Sequence, residues 1–474
     1  MVPHNSSRAS PSRGQCDEQI LPALYAWVGA AFDATPTQLG NLALARAVVQ
    51  ALTSPLGGIA SSLYPRNRII AVGCLIWAVF TGAFAMLSSY RAALAVLAFN
   101  GLGLALVIPN TQSLVADYFE PEKRGRAFGA LWLTISLGGM LGALFATNVG
   151  ALQVGLLDGW RFVFLSVAAL SLVVGALSWA LIHDPCAREA QARRRLDRGG
   201  GVLATFEKVG ASLSMVLKIP TFLLIIFQGI IGSVPYASLI FLTLYFQLLG
   251  MSNAAAAALV ATYLAGGGVG GLLGGWVGDL ASQVSPDHGR IAATQFSVFI
   301  GVPFAFTIFK VGRLLPHNGD AGSVAAYAVT IAAFAVLTAW PGPCCNNPVF
   351  AEIVPPQQRN LVYAFDRCFE GAVAAFAAPF VGALAEHWFG FEGASKVTGD
   401  RARDLANARA LGNALLCFLT VPWSCCLAVY TGLHWTYPRD RRVALQLSDA
   451  PLAAEEELED LTGRREARSG CTTV

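Results

Sequence analysis

Charged residues are scarce in this chain. Asp, Glu, Lys and Arg make up 13% of its 474 residues, about half of the ~25% that is typical of soluble globular proteins. Hydrophobic residues reach 55% of the sequence. A soluble protein of this length cannot bury so much apolar surface while presenting so few charges to water. The composition therefore excludes a cytosolic enzyme, a disordered chain and a nucleic-acid-binding protein, and it indicates a polytopic membrane protein.

Sequence motifs of soluble active sites are also missing. There is no Gly-x-x-x-x-Gly-Lys-Ser/Thr loop, so ATP-driven transport by this chain alone is unsupported. No His-x-x-x-His pair or cysteine cluster has the spacing of a metal centre. The ten cysteines, which include the pairs Cys344-Cys345 and Cys425-Cys426, are interpreted as small buried hydrophobic residues. We predict no enzymatic activity, no metal and no cofactor.

Long apolar runs dominate the rest of the sequence. A hydrocarbon core ~30 Å thick needs about twenty apolar helical residues, and eleven runs meet this requirement. They are Leu39–Leu63, Ile69–Ser89, Ala92–Val115, Ala127–Asn148, Arg161–Ile182, Phe222–Leu249, Ala254–Gly278, Ile291–Phe309, Ser323–Pro343, Leu361–Trp388 and Ala408–Trp435. The predicted fold class is an all-α membrane protein.

One long polar stretch, 183–220, separates the fifth span from the sixth. It contains seven Lys and Arg residues against four acids, so the positive-inside rule places it in the cytoplasm. Counting outward from it gives a polar N-terminal segment (1–18), a first transmembrane bundle (19–182), a six-helix second bundle (221–435) and a disordered cytoplasmic tail (436–474).

The number of predicted spans is odd, and this determines on which side of the membrane the N-terminus would lie. Eleven spans with a cytoplasmic C-terminus would leave the N-terminus on the opposite side. The apolar run Ile20–Phe32 is too short to cross a bilayer, and the residues before Cys16 are polar. We expect that one N-terminal span is missing from this chain.

Two polar segments, which follow the third and ninth spans, share one pattern. Asp117 and Glu352 are each followed by a Pro four residues later and by an Arg, Arg124 or Arg359, seven residues later. The two copies are 235 residues apart. Internal repeats of this kind build the halves of transporters, with the substrate site between them near the membrane midplane.

A second, weaker pair of segments lies in the matching places. Gly58 precedes Arg66 in the first half, and Gly275 and Asp279 precede Arg290 in the second. A glycine lets two helices approach closely, and an acid at a helix end pairs with a neighbouring Arg or faces a helix N-terminus.

Together, the two pairs of segments predict a gate on the cytoplasmic side. Ion pairs there would hold one conformation and break in the other. We expect Asp117 to pair with Arg66 or Arg124 in the outward-facing state. The alternative is that these residues are only interfacial anchors and helix-end charges.

These residues resemble the major facilitator superfamily, whose members have two six-helix halves and a long central cytoplasmic loop. The second half has the family's loop motif at Gly275, Asp279, Gly289 and Arg290. In the first half Ser62 stands where the motif has an acid. The resemblance implies two pseudo-symmetric helical bundles and transport by alternating access.

Within the superfamily, the chain is most similar to uncharacterised plant and green-algal members, which are distantly similar to spinster-like carriers. The segments 108–117, 346–355 and 363–366 carry this resemblance. It implies that a first membrane helix should precede Asp17, and an incomplete gene model would explain its absence. In the family's fourth-helix motif, Leu97 occupies the position of an Arg that is often linked to proton coupling.

Polar side chains inside membrane spans are costly and are therefore candidates for function. Arg46 and Gln50 are four residues apart, so they share a helix face. A guanidinium at this position suits an anionic substrate group, or it pairs structurally across the bundle. Further candidates for a substrate cavity are Asn100, Gln112, Gln228, Tyr236, Asn346 and Asn347. Such residues equally often hydrogen-bond adjacent helices, for ~0.6 kcal/mol each.

Asp366 and Glu370 are also four residues apart and would repel each other unless a proton or cation intervenes. The pair is interpreted either as a site of proton or ion coupling or as a charge cluster linked to the gate.

The predicted function is secondary active transport of a small solute across a lipid bilayer by a monomer, with alternating access. Two alternatives remain open at this point. One is a transporter of lipid or sphingolipid-like molecules, and the other is a non-transporting membrane receptor derived from a carrier.

Overall fold

Eleven helices in the described part of the chain are long and apolar enough to cross a membrane. This finding confirms the predicted spans and the all-α membrane fold. The computed structural model describes residues 20–469 except for gaps at 22–23, 33, 35, 151, 186–209, 211–213, 311–314, 316–319, 355–357 and 393–398. The predicted N-terminal segment 1–18 and most of the central loop 183–220 lie outside the described residues.

In the described part of the first half, one short helix and five spanning helices have defined bounds. They are α1 (Tyr25–Phe32), α2 (Pro36–Leu63), α3 (Arg66–Met86), α4 (Tyr90–Tyr118), α5 (Arg124–Val149) and α6 (Gly159–Leu181). A small antiparallel hairpin, β1 (Gln153–Val154) with β2 (Leu157–Asp158), joins α5 to α6. Phe32 of α1 packs edge-on against Trp160 of α6, so the short helix belongs to this bundle.

The second half supplies six spans, three of which are interrupted. Its helices are α7 (Pro220–Ser238), α8 (Leu242–Leu248), α9 (Asn253–Val284), α10 (Gly289–Phe309), α11 (Ala321–Thr338), α12 (Asn347–Ile353), α13 (Arg359–Ala374), α14 (Ala377–His387) and α15 (Arg401–Ser469). A 3₁₀ turn separates α7 from α8, and a π-helical turn at Gly342–Asn346 precedes α12. A two-residue turn separates α13 from α14.

Helix α15 continues to Ser469, past residue 436, where the sequence predicted that a disordered tail begins. Tyr437 is 1% exposed, and its hydroxyl donates to the carboxylate of Glu352. Asp440 accepts a hydrogen bond of 2.9 Å from the backbone N–H of Thr221. These tertiary contacts hold the first turns beyond the span against the second bundle.

Two helix pairs form most of the contact between the halves: α5 with α9, and α2 with α13. Glycines make the close approach possible. A Cβ on Gly58 of α2 would lie 3.1 Å from the Cα of Leu361 in α13. A Cβ on Gly275 of α9 would overlap the carbonyl of Gly125 in α5. The two glycines that the repeat aligns therefore have equivalent places in the two interfaces.

The helix ends at one side of the bundle bring together four arginines, Arg66, Arg124, Arg290 and Arg359. We call this side the basic end. Each of these arginines lies in the first turn of its helix, α3, α5, α10 or α13.

We predict that Gly275→Val destabilises the protein. The added side chain would meet the backbone of α5, and overpacking of this kind costs about 1–3 kcal/mol. The melting temperature in detergent should fall. Gly267→Val is the matched control on the same helix, since a Cβ there has nothing within 4 Å. Equal melting temperatures for the two variants would contradict the close packing of α5 on α9.

Candidate functional site

Arg66 is the centre of a charged network in the first half. Its side chain is 2% exposed. Nη1 donates to Asp117 at 2.6 Å and to the Ser113 hydroxyl at 2.7 Å, and Nη2 donates to Asp184 at 2.6 Å. The sequence predicted the pair with Asp117 but not the role of Asp184. The only sequence indication of that role was the position of Asp184, which is the first acid after the fifth span.

Asp117 also pairs with Arg359 of the second half. This ion pair joins the end of α4 to the start of α13, so one carboxylate serves two arginines in different halves. Arg124, the other predicted partner, donates from Nε to the carbonyl of Ala116 at 3.0 Å.

The internal repeat is visible in these contacts. Arg359 donates from Nε to the carbonyl of Ala351 at 3.1 Å, and Arg124 donates in the same way to Ala116. Each arginine thus binds the carbonyl eight residues before it. The repeated sequence pattern therefore corresponds to a repeated contact, in which the first arginine of a helix binds a carbonyl of the helix before it.

Asp279 links the second half to the start of α5. Its side chain is fully buried and accepts hydrogen bonds of 2.9 Å from the backbone N–H groups of Gly125 and Arg126. The first N–H groups of a helix have no partner within the helix and carry partial positive charge. Arg290 supplies a third donor, with Nη2 at 2.9 Å. A carboxylate of one half thus caps a helix of the other.

Arg290 extends this network in both directions. Its Nη2 also donates to the carbonyl of Pro121 in the first half at 3.0 Å, and its Nε lies 3.8 Å from Glu352. Glu352 in turn accepts from Tyr437 and lies 3.4 Å from Nε of Arg441. The two residues of α15 were not predicted, because they lie in the segment expected to be disordered.

The polar residues inside the first bundle fall into two groups. Asn100 is completely buried and donates to the carbonyl of Trp77 at 3.2 Å and to Thr81 at 2.8 Å. Its hydrogen bonds therefore tie α4 to α3, which is the alternative that the sequence left open. Arg46 and Gln112 are each 7% exposed, and their role in a cavity stays a prediction.

Gln50, Tyr236 and Asn347 have different surroundings. Gln50 is half-buried and lies one turn from Arg46 on α2. The hydroxyl of Tyr236 donates to the carbonyl of Thr338 at 2.5 Å, which joins α7 to α11. Asn347 is 3% exposed in the first turn of α12.

A buried polar cluster joins three spans of the second half. The Nδ2 group of Asn346 donates to Gln228 at 2.9 Å, and the hydroxyl of Tyr430 donates to Oδ1 of Asn346 at 2.8 Å. Asn346 ends the π-helical turn, a feature that is frequent at functional sites. The sequence singled out Gln228 and Asn346 but missed Tyr430, whose spacing in α15 is that of an ordinary apolar residue.

Asp366 and Glu370 meet on α13 as their spacing predicts. Nη2 of Arg367 lies 3.6 Å from Asp366 and 3.4 Å from Glu370. The group is located where α13 packs against α2 and α7.

A family model described as Major Facilitator Superfamily matches residues 15–344. This chain belongs to the Major Facilitator Superfamily. Solved structures of the superfamily share its fold. The proton:xylose symporter XylE has a TM-score of 0.58 at 15% identity and covers 86% of this chain and 92% of its own. A bacterial homologue of the human lysosomal transporter Spinster, in an inward-facing and occupied conformation, has a TM-score of 0.52 at 18% identity and covers 90% and 98%.

Curated transporters of the superfamily match a shorter region. The quinolone resistance protein NorA of Staphylococcus aureus is 26% identical over 151 residues, which is 32% of this chain and 37% of NorA. The hexuronate transporter of Bacillus subtilis is 24% identical over 148 residues, 31% of this chain and 34% of that protein. The chain thus spans about a third of the length of the curated relatives that it matches. These similarities support membrane transport by an integral, multi-pass protein.

We predict that Asp279→Asn strongly destabilises the closed basic end. An amide cannot balance Arg290, and removing one partner of a buried ion pair costs about 3–5 kcal/mol. The melting temperature in detergent should therefore fall. Glu120→Gln is the control, since Glu120 lies just before α5 but forms an exposed pair with Lys123 and its loss should leave the melting temperature unchanged. If both variants melt like the wild type, Asp279 does not hold the halves together.

Proposed function

We propose that this chain is a secondary active transporter that moves a small solute across a membrane by alternating access, with the basic end in the cytoplasm. One observation carries the proposal: the halves meet at the basic end through polar contacts between different halves. Asp279 caps α5, and Asp117 pairs with Arg359. The described conformation is closed at this end and corresponds, on this proposal, to an outward-facing or occluded state.

The chemistry of these contacts suits a reversible gate. Ion pairs that are buried when the halves meet lose hydration, and this penalty offsets much of their attraction. When the halves separate, water enters and the same charges regain hydration. The two states can therefore be close in free energy, as alternating access requires.

A substrate with an anionic group would suit this transporter. Arg46 places a buried guanidinium in the first half, and the cluster of Gln228, Asn346 and Tyr430 offers hydrogen-bonding groups in the second. A hexuronate, which one relative is named for, combines a carboxylate with hydroxyl groups. The resemblance to plant and algal members and to spinster-like carriers makes a sphingolipid the second class to test.

The proposal is tested first by flux into proteoliposomes. The panel contains labelled glucuronate, D-xylose, a fluorescent quinolone and a fluorescent sphingolipid. Uptake of glucuronate above protein-free liposomes, reduced at least tenfold by Arg46→Gln, would support an anionic solute. Movement of the sphingolipid alone would favour lipid transport. A panel compound that raises the melting temperature without crossing the membrane would favour the receptor alternative.

We further predict that a disulfide between the halves stops transport. A Cβ on Gly371 of α13 would lie 3.6 Å from the Cβ of Ala51 in α2, within the range of about 3.5–4.5 Å that disulfides need. Oxidised Ala51→Cys/Gly371→Cys should therefore lose uptake of the transported solute, and a reductant should restore it.

A disulfide within one half is the matched control. Gly82 and Ala168 offer a Cβ separation of 3.7 Å between α3 and α6 of the first half. Oxidised Gly82→Cys/Ala168→Cys should transport like the wild type, since the halves still move as units. If the inter-half disulfide leaves uptake unchanged, the alternating-access proposal is wrong.

A further inference from the structure

The acid pair on α13 has an unbalanced charge. Asp366 and Glu370 both approach one nitrogen, Nη2 of Arg367, at 3.6 and 3.4 Å. The two carboxyl groups therefore lie within about 7 Å of each other. With both acids ionised, two negative charges would share one positive charge inside a membrane span, where an uncompensated charge is costly.

The surroundings of the pair shield its carboxyl groups from water. Asp366 is 2% exposed, and its Oδ1 is buried with no hydrogen-bond partner among the described residues. Oε1 of Glu370 lies against Gly229 of α7, so closely that a Cβ there would overlap it. A buried carboxylate oxygen without a donor is destabilising, whereas a protonated carboxyl group can donate a hydrogen bond to its neighbour.

Among the described residues, the helices that pack against α13 place no second positive charge beside the acid pair. The helices packed against α13 are α2, α4, α7 and α12. Their ionisable residues are Arg46 on α2, Tyr90, Arg91, Asp117 and Tyr118 on α4, Tyr236 on α7, and Glu352 on α12. Asp117 and Glu352 have partners at the basic end. On α2, the residue that faces Gly371 is Ala51. Arg46 lies five residues from Ala51, toward the opposite end of the helix.

We propose that Asp366 and Glu370 share one exchangeable proton and that this site couples transport to a proton gradient. The proton binds to a carboxylate oxygen from the solution on one side and leaves from the same oxygen to the other side. The coupling role rests on the transport function proposed above. Protonation leaves one carboxylate with one guanidinium, so the site becomes neutral.

A proton fits this site better than a metal ion. Hard cations such as Ca²⁺ need six or more oxygen ligands, and the guanidinium of Arg367 already lies between the two acids. No group of three or more His, Cys, Asp or Glu side chains suited to a metal occurs within the residues that the structure describes.

The position of the site on α13 connects it to the gate. Arg359, which binds Asp117 of the other half, begins the same helix about two turns before Asp366. A change in the charge of α13 would therefore act on the helix that carries the inter-half ion pair. Helix α13, with its ion pair to Asp117 either formed or broken, is then the two-state element that coupling between sites requires.

Infrared difference spectroscopy of the reconstituted protein tests the proton directly. The wild type should show the carbonyl stretch of one buried protonated carboxyl group, and this band should disappear when the pH is raised far enough to remove the proton. Asp366→Asn and Glu370→Gln should each remove the whole band, because the remaining carboxylate balances Arg367. Glu386→Gln, which changes an exposed acid on α14, should leave the band intact.

A complementary variant guards against loss of folding. Arg367→Gln leaves two acids without a cation, so the band should grow about twofold as both become protonated. Absence of a titrating band in the wild type, or its survival in Asp366→Asn or Glu370→Gln, would overturn the proposal. These spectra need no substrate. The proton site can therefore be disproved while the flux assay still shows transport, and transport can be disproved while the spectra still show the proton.

Disulfide formation tests the connection to the gate. We compare the rate of disulfide formation in Ala51→Cys/Gly371→Cys with the rate in Gly82→Cys/Ala168→Cys. The ratio of the first rate to the second should vary with pH. The same ratio should be independent of pH after Asp366→Asn. The same pH dependence in both backgrounds would show that the proton site does not act on the contact between the halves.

Discussion

The carboxylate of Asp279 is completely buried between the two halves, and its charge has to be balanced by donors within the protein. Two backbone N–H groups at the start of α5 and the guanidinium of Arg290 provide this balance. The N–H groups are accessible to it only because Gly125 and Gly275 let α5 and α9 approach closely. The contact therefore needs all three features together: the small residues, the start of α5 and the buried acid.

The first half solves the same problem with different residues. Ser62 occupies the place where the second half has Asp279, so α2 carries no acid toward the start of α13. The charge comes from Asp117 on α4, which binds Arg66 of its own half and Arg359 of the other. In the second half Asp279 performs both tasks, since it binds Arg290 of its own half and the start of α5 in the other, while Glu352 lies beside Arg290. Pseudo-symmetry at the basic end thus preserves the arginines more closely than the acids.

The sequence predicted the spans and several contacts at the basic end because both depend on local patterns. The length and hydropathy of an apolar run are sufficient to place a spanning helix, and the repeat around Asp117 and Glu352 preserves its spacing. Asp184 and Tyr430 were missed because their roles arise only when distant helices meet. The helical continuation of α15 was missed for the same reason: its charged residues look like a solvated tail until Asp440 meets the start of α7.

The span that contains the proposed proton site consists of two helices, α13 and α14. The turn at Ala375-Phe376 separates the segment that carries Arg359, Asp366 and Glu370 from the segment that continues to the opposite end. The sixteen residues of α13 pack against α2 of the first half, whereas α14 packs against α15 and α7 of its own half. On the two proposals above, the ion pair between the halves and the proton site therefore lie on the same short helix, within the part of the span that packs against the first half.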